Sequence, residues 1–145
     1  DKINVSDVLK LTNLAENYDI SELVDNCLAK NINKTMNVLN ENNFSPEDCV
    51  LITRTFLMKA KRLNKLLKEL ENNNSIEKTV STFKPAIFWK DKDVVKQQMK
   101  NWSQKTIEKL IYKINEIELS IKKNSSSSVN IVIDFVIGQA GKIKG

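Results

Sequence analysis

The sequence contains no histidine among its 145 residues. Histidine is the side chain that most often acts as a general base near neutral pH, and it is the commonest metal ligand in proteins. Paired carboxylates do not take its place. Asp91 and Asp93 stand where a helix is predicted to begin, a position at which acids favour the helix dipole. Glu116 and Glu118 are two residues apart on a predicted helix and do not face each other. We therefore expect no catalytic residue, no metal site and no cofactor.

Glycine and cysteine are scarce as well. The three glycines, Gly138, Gly141 and Gly145, all lie near the C-terminus, so no glycine-rich phosphate-binding loop can be built from them. Cys27 and Cys49 are spaced neither for a redox pair nor for a zinc site, and each lies among apolar residues. We expect two buried, reduced thiols, as in a protein of the cytosol.

Long apolar runs are also missing. No stretch of about 18 apolar residues is present, so no membrane-spanning helix is predicted. No signal peptide leads the chain. The chain begins at Asp1, and a helical pattern follows almost at once. We interpret it as a fragment of a longer protein.

Charge is unevenly distributed along the chain, which carries a net charge of +5. Residues 1–53 contain 4 basic and 9 acidic side chains, whereas residues 54–123 contain 17 basic and 8 acidic ones. The middle of the chain should attract phosphate and the first third should repel it. A solvated basic face and a face that binds nucleic acid are both compatible with this pattern.

The apolar residues, 41% of the chain, recur mostly at helical spacing. Expected helix starts are an N-cap at Asn4, one at Asp19, Ser45 followed by Pro46, and Ser103. The run at residues 72–75 should end the first long helix. The predicted buried stripes are Ile20, Leu23, Val24, Cys27 and Leu28; Ile32, Met36 and Leu39; Phe56, Ala60, Leu63, Leu67 and Leu70; Val95, Gln98, Met99 and Trp102; and Ile107, Leu110, Ile114, Ile117 and Ile121.

The segment 129–137 is ambiguous, because its β-branched residues suit a strand and their spacing also suits a helix face. A lone strand would have no partner, so we favour a helix. The predicted fold is all-α, a compact bundle of about six or seven helices, two of them long. We expect residues 1–17 to end a preceding domain, residues 18–145 to form the helical domain, and the tail 141–145 to be disordered.

The stretch FKPAIFWKDK at residues 83–92 concentrates aromatic and basic side chains. Such a mixture can bind single strands, with rings stacking on bases and lysines contacting phosphate. Aromatic residues of helical proteins more often belong to the core, however. We therefore interpret five residues as a structural plug between helices, namely Pro85, Ile87, Phe88, Trp89 and Trp102. Lys90 and Lys92 remain candidates for contact with DNA.

A family resemblance rests on the order of several motifs. KPAIFWK is followed by the basic amphipathic segment DVVKQQMKNWS and then by a long helix from Ile107 to Lys122 with the pattern I-x-x-L-I-x-x-I-x-x-I-E-x-x-I-K. Upstream stand INVSDVLKL and DISELVDNCLAKNINKTMNVLNE. In this order the motifs resemble the C-terminal region of the delta subunit of the bacterial DNA polymerase III clamp loader, over nearly the whole chain.

The resemblance implies a helical collar domain of a bacterial, cytoplasmic protein active in DNA replication. Such a collar holds its subunit in the loader ring, against subunits of the delta prime and gamma/tau types, with primer-template DNA nearby. The parent would be a non-catalytic subunit of a DNA-directed DNA polymerase holoenzyme, and the sliding clamp would be bound only by a missing N-terminal domain. The alternative is an autonomous basic helical domain that binds nucleic acid. Possible DNA-facing residues are Lys61, Lys65, Lys68, Lys90, Lys92, Lys122 and Lys123.

Overall fold

The computed structural model describes residues 18–141, and within this range it contains helices and no strand. Helix α1 is described over residues 18–28. The other helices are α2 (Ile32–Glu41), α3 (Pro46–Asn73), α4 (Ile76–Thr82), α5 (Lys92–Asn101), α6 (Gln104–Lys123) and α7 (Ser128–Ala140), with 3₁₀ turns at Trp89–Asp91 and Ser125–Ser127. The expected all-α bundle of six or seven helices is thus confirmed. The expectations for residues 1–17, including the N-cap at Asn4, and for residues 142–145 of the tail lie outside the described residues.

The starts of both long helices follow from local chemistry. The Ser45 hydroxyl accepts a hydrogen bond from the Asp48 N–H, the Asp48 carboxylate accepts one from the Ser45 N–H, and Pro46 occupies the first turn. Ser103 begins α6 through the equivalent pair of bonds with Thr106. These caps satisfy amide groups that a helix leaves without partners. Both predicted N-caps are confirmed.

Other boundaries also follow from single residues. Asn74 adopts the left-handed conformation, with φ of 56°, and its N–H donates to the Leu70 carbonyl, which ends α3 where the polar run predicts. Asp19 was expected to cap α1, but it lies inside that helix. The segment 129–137 is helical, as we favoured, and buries Val132, Phe135 and Val136 on one side.

Helices α3 and α6 pack against each other and form the centre of the bundle. The stripes predicted for these helices are buried, except that Leu70 and Ile117 are only half-buried. Helix α7 packs against both, and the rings of Phe56 and Phe135 meet edge to face with their centroids 5.4 Å apart. Burial of each large aliphatic side chain favours folding by about 1.5–3 kcal/mol. The interface between α3 and α6 is therefore the main apolar core.

Helix α2 is oriented differently from the prediction. The structure buries Thr35 and Val38, whereas Ile32 is exposed and Met36 and Leu39 are only half-buried. Burial of Thr35 is tolerated because its hydroxyl donates to the Asn31 carbonyl at 2.8 Å. The prediction counted only apolar residues and therefore selected the wrong face.

A buried ion pair joins α1, α3 and α5. The Lys59 ammonium donates to the Asp25 carboxylate at 2.8 Å, and each residue is only 5% exposed. The Gln98 side-chain amide donates to the Asp25 backbone carbonyl at 3.0 Å and to its carboxylate at 3.2 Å. Arg62 adds a second cation, 3.9 Å from the same carboxylate. Charges this deeply buried are compatible with a stable fold only when they are paired and hydrogen-bonded.

The C-terminal end of α1 is held by the C-terminal end of α5. The Trp102 indole N–H donates to the Leu28 carbonyl at 2.7 Å, and the Asn101 amide donates to the Ala29 carbonyl at 2.8 Å. The Lys30 ammonium lies 4.1 Å from the centroid of the Trp102 ring. These groups satisfy carbonyls that the end of a helix would leave open. They fix the position of α5 relative to α1.

Both cysteines are buried free thiols, as expected. The Cys27 thiol donates to the Val136 carbonyl at 3.3 Å, and burial raises the pKa of this thiol from 9.0 to about 12. Burial also raises the pKa of Cys49. Because the thiolate is the reactive form, both residues should be inert in the folded chain.

We expect Asp25→Ala to lower the free energy of unfolding by about 3–5 kcal/mol, because it leaves the buried Lys59 ammonium without its partner. Urea denaturation followed by far-UV circular dichroism measures the change. The matched control is the double variant Asp25→Leu, Lys59→Met, which removes both charges and should recover most of the loss. A double variant as unstable as the single one would contradict this explanation.

We expect iodoacetamide at pH 8 to alkylate Cys27 only as fast as the chain unfolds, and to alkylate it rapidly in urea. The raised pKa also makes the free energy of unfolding depend on pH. The protonated thiol stabilises the fold fully below pH 9.0, the ordinary value, and this contribution is lost as pH rises towards 12. A Cys27→Ala variant should therefore lose less stability than the parent chain over that range. Rapid labelling of the folded chain at pH 8 would contradict the assignment.

Candidate functional site

One face of α3 is a basic ridge, which consists of Arg54, Met58, Lys61, Lys65 and Lys68. All five side chains are exposed, on the side of α3 away from its buried stripe. The ridge covers 15 residues of helix, and its ends are about 21 Å apart at a rise of 1.5 Å per residue. Among residues 18–141, none of its four cations forms an ion pair with a carboxylate. The ridge is therefore an uncompensated positive strip on the surface.

The second feature is the aromatic turn, residues 83–91, which connects α4 to α5. Phe83 and Ile87 are buried and anchor the turn at two points. Phe88 is 57% exposed and Trp89 is 70% exposed, and their ring centroids are 6.0 Å apart with 53° between the planes. Pro85 is exposed as well. The turn thus presents two adjacent rings to solvent.

The expectation that Phe88 and Trp89 fill the core is wrong. The side chains of this segment diverge after Ile87, where Phe88 has φ of −55° and ψ of 133° and a 3₁₀ turn follows from Trp89. Ile87 takes the inward position, Phe88 is directed outward, and the 3₁₀ turn that begins at Trp89 leaves that ring outside as well. The gap between the helices admits one large side chain from this segment rather than three.

Of the five residues predicted to form the plug, the structure buries two, Ile87 and Trp102. Trp102 lies elsewhere, at the end of α5, where its indole N–H binds the end of α1. Pro85, Phe88 and Trp89 are exposed. The five residues therefore do not form one cluster.

The lysines predicted to face DNA occupy three separate places. Lys61, Lys65 and Lys68 belong to the basic ridge. Lys90 is exposed, with its ammonium 5.4 Å from the centroid of the Trp89 ring, and Lys92 begins α5 and is half-buried.

Lys122 and Lys123, the last of the predicted DNA-facing lysines, form the last turn of α6. There, lysines are favoured by the negative end of the helix dipole. Lys122 also pairs with Glu118 at 3.1 Å. This pair of lysines is explained by local helix chemistry.

One contact joins the aromatic turn to the basic ridge, and one ion pair joins the two helices on either side of the turn. The Lys65 ammonium lies 5.5 Å from the centroid of the Phe83 ring, so the basic ridge reaches the start of the turn. Lys96 of α5 donates to Glu77 of α4 at 2.8 Å, and this hydrogen bond lowers the pKa of Glu77. The ion pair joins the two helices that flank the turn. Ridge and turn are therefore adjoining parts of the surface.

Two exposed apolar residues of α6 were not predicted. Tyr112 is 70% exposed and Leu119 is also exposed. They lie seven residues apart, which places them on the same face of the helix, away from its buried stripe. The sequence did carry a signal for their exposure, because both positions fall outside the apolar stripe of α6.

A shallow groove of about 280 Å³ lies between α6 and α7, lined by Lys113, Ile117, Ile131, Asp134, Phe135, Gly138 and Gln139.

Residues 18–141 contain no cluster of side chains suited to hold a metal ion. In the same range, no helix has the length and apolar character needed to cross a bilayer. Comparison with protein families, with curated proteins and with solved structures finds no match to this chain. Its function must be argued from its own surfaces.

We expect Phe88→Ala and Trp89→Ala to change the free energy of unfolding by less than about 0.5 kcal/mol, as is usual for exposed positions. Ile87→Ala should lower it by about 2–5 kcal/mol, because it leaves a cavity under the turn. Urea denaturation of the three variants compares neighbouring residues of a single turn. A cost for Phe88→Ala equal to that of Ile87→Ala would show that the ring packs in the core.

Proposed function

We propose that this chain is the C-terminal oligomerisation domain, or collar, of a clamp-loader delta subunit. It would hold its subunit in the loader ring that places the sliding clamp on primer-template DNA. The observation that carries the proposal is the order of elements from α4 to α6. A short helix, a proline-containing hydrophobic turn, a basic helix followed by Trp102 and Ser103, and a long helix succeed one another. The resemblance of the sequence implies the same order.

The chemistry of the surface is compatible with a role in assembly. The sequence offers no catalytic constellation, so a function in binding is the simpler one. Tyr112 and Leu119 form an exposed apolar face on α6, and Met58 is exposed on α3. Exposed apolar residues that share a face are typical of surfaces that bind other proteins. Delta prime and gamma/tau type subunits are the proposed partners, in the cytoplasm of a bacterium.

A second candidate function, the binding of nucleic acid, is favoured by the basic ridge. Its cations are exposed and have no carboxylate partners among the described residues. Lysines in this state can contact phosphates and release the counterions that surround nucleic acid. The two functions are compatible, because a collar lies close to the DNA on which its loader acts.

To test the proposal, the purified chain is mixed with delta prime and gamma/tau type subunits from the same genome. Size-exclusion chromatography with light scattering should show one complex that contains the chain. We expect Tyr112→Glu with Leu119→Glu to weaken this complex at least about tenfold, because two charges would be buried at the interface.

The control is the triple variant Lys61→Glu, Lys65→Glu, Lys68→Glu. It should retain assembly, because the basic ridge lies on another helix, and lose affinity for DNA. If the folded parent chain joins no subset of loader subunits, the proposed function is wrong.

A further inference from the structure

We propose that the aromatic turn is a binding site for single-stranded nucleic acid, in which unpaired bases stack on Trp89 and Phe88. This inference refines the second candidate function, the binding of nucleic acid, and it does not depend on assembly into a loader. The basic ridge alone would bind phosphate of any strand. The turn adds a group that recognises bases.

The two rings are exposed on an anchored backbone. Trp89 and Phe88 are more than half exposed, yet buried residues precede them and a backbone hydrogen bond follows. Phe83 and Ile87 are buried, and the Asp91 N–H donates to the Phe88 carbonyl at 2.9 Å. The rings are therefore presented by a defined backbone. A ligand that stacks on them therefore loses little binding free energy to ordering of the protein backbone.

Basic side chains lie around the two rings. Lys90 lies next to Trp89, Lys84 is exposed at the start of the turn, and Lys65 leads from Phe83 to the basic ridge. Asp91 and Asp93 partly balance these lysines, but they stand at the N-terminal end of α5, where the helix dipole favours acids. A strand that follows the ridge could place its phosphates near Lys65 and Lys90, and its bases against the turn.

The size and charge of the turn's exposed surface favour nucleic acid over protein as its occupant. Interfaces between proteins bury roughly 800 Å² on each partner and are depleted in lysine. The turn offers two adjacent rings, and before them stand the exposed Lys84 and the small residues Pro85 and Ala86, which extend the apolar surface by little. Aromatic rings beside lysines are the combination that binds single strands, because each base has a face that can stack.

The two rings are inclined to each other. With 53° between their planes, the rings do not form a parallel slot for one base. Each ring can instead offer its outer face to a different base. Bases in a duplex are already stacked and paired, so their faces are not accessible to the turn. The site should therefore prefer single strands to duplexes.

The experiment uses oligothymidylate of about 15 nucleotides, within the range of sites seen on single-strand-binding folds. The chain has two tryptophans, and Trp102 is buried, so quenching of tryptophan fluorescence on binding reports on Trp89. Affinity is measured independently by anisotropy of a labelled oligonucleotide. We expect saturable binding with quenching in the parent chain.

Trp89→Ala should weaken binding of oligothymidylate about 5- to 150-fold, the usual effect of removing one stacking ring. Trp89→Phe should retain most of the affinity, because a ring remains. The matched control is Tyr18→Ala. Tyr18 is also exposed, at 67%, but it lies on α1 beside Asp19 and one turn from the exposed Glu22, so we expect no change in affinity. Duplex DNA should bind more weakly than the single strand, with the same affinity for Trp89→Ala and for the parent.

Failure of this inference can be distinguished from failure of the functions proposed above. If the ridge variant Lys61→Glu, Lys65→Glu, Lys68→Glu loses oligonucleotide binding but Trp89→Ala does not, the chain binds nucleic acid and the stacking site is wrong. Absence of tryptophan quenching at saturation would also overturn the site. If Trp89→Ala instead prevents assembly with loader subunits and leaves oligonucleotide binding unchanged, the turn is a protein contact and the inference is wrong.

Discussion

The buried pair of Asp25 and Lys59 is the constraint on which the arrangement of this bundle depends. Moving two charges out of water costs several kcal/mol per ion, and only close pairing with further hydrogen bonds offsets that cost. Here the carboxylate of α1 meets the ammonium of α3, and Gln98 of α5 binds both the side chain and the backbone of the same aspartate. A shift of any of these helices along its axis would separate these groups and leave buried charges without partners. The pair therefore selects one register for three helices at once.

The position of the exposed turn follows from that register. Gln98 and Trp102 are one turn apart on α5, and both bind α1, so the helix is held along its length and at its end. The turn leads directly into α5, and the pair of Lys96 and Glu77 joins α5 to α4 on its other side. The turn itself is anchored to the core by its buried residues Phe83 and Ile87. Ile87 is directed inward, and the rings of Phe88 and Trp89 have no room in the core.

Periodicity and capping chemistry were sufficient to predict the long helices and the all-α class, because Ser45, Ser103 and the apolar stripes of α3 and α6 act locally. The ion pair was not predicted, since charged residues were assigned to the surface. A signal existed, because Lys59 interrupts the otherwise apolar stripe formed by Ile52, Phe56, Leu63 and Leu66. The orientation of Phe88 and Trp89 had no such signal. It depends on how the backbone turns at Ile87 and Phe88 between two helices, which is set by tertiary packing.

Assembly and nucleic-acid binding place different demands on a small helical domain, and this fold can meet both because its surfaces are separate. The exposed face of α6 carries Tyr112 and Leu119, and the charges beside them are mixed, because Glu108 and Glu116 stand on the same side of the helix as Lys109. The basic ridge of α3 adjoins the aromatic turn through Lys65 and Phe83. A partner protein bound at α6 would thus leave the ridge and the turn accessible, and the positive strip would still attract a strand. The rigid core makes this division possible, because α3 and α6 bury one face against each other and present different chemistry on the other.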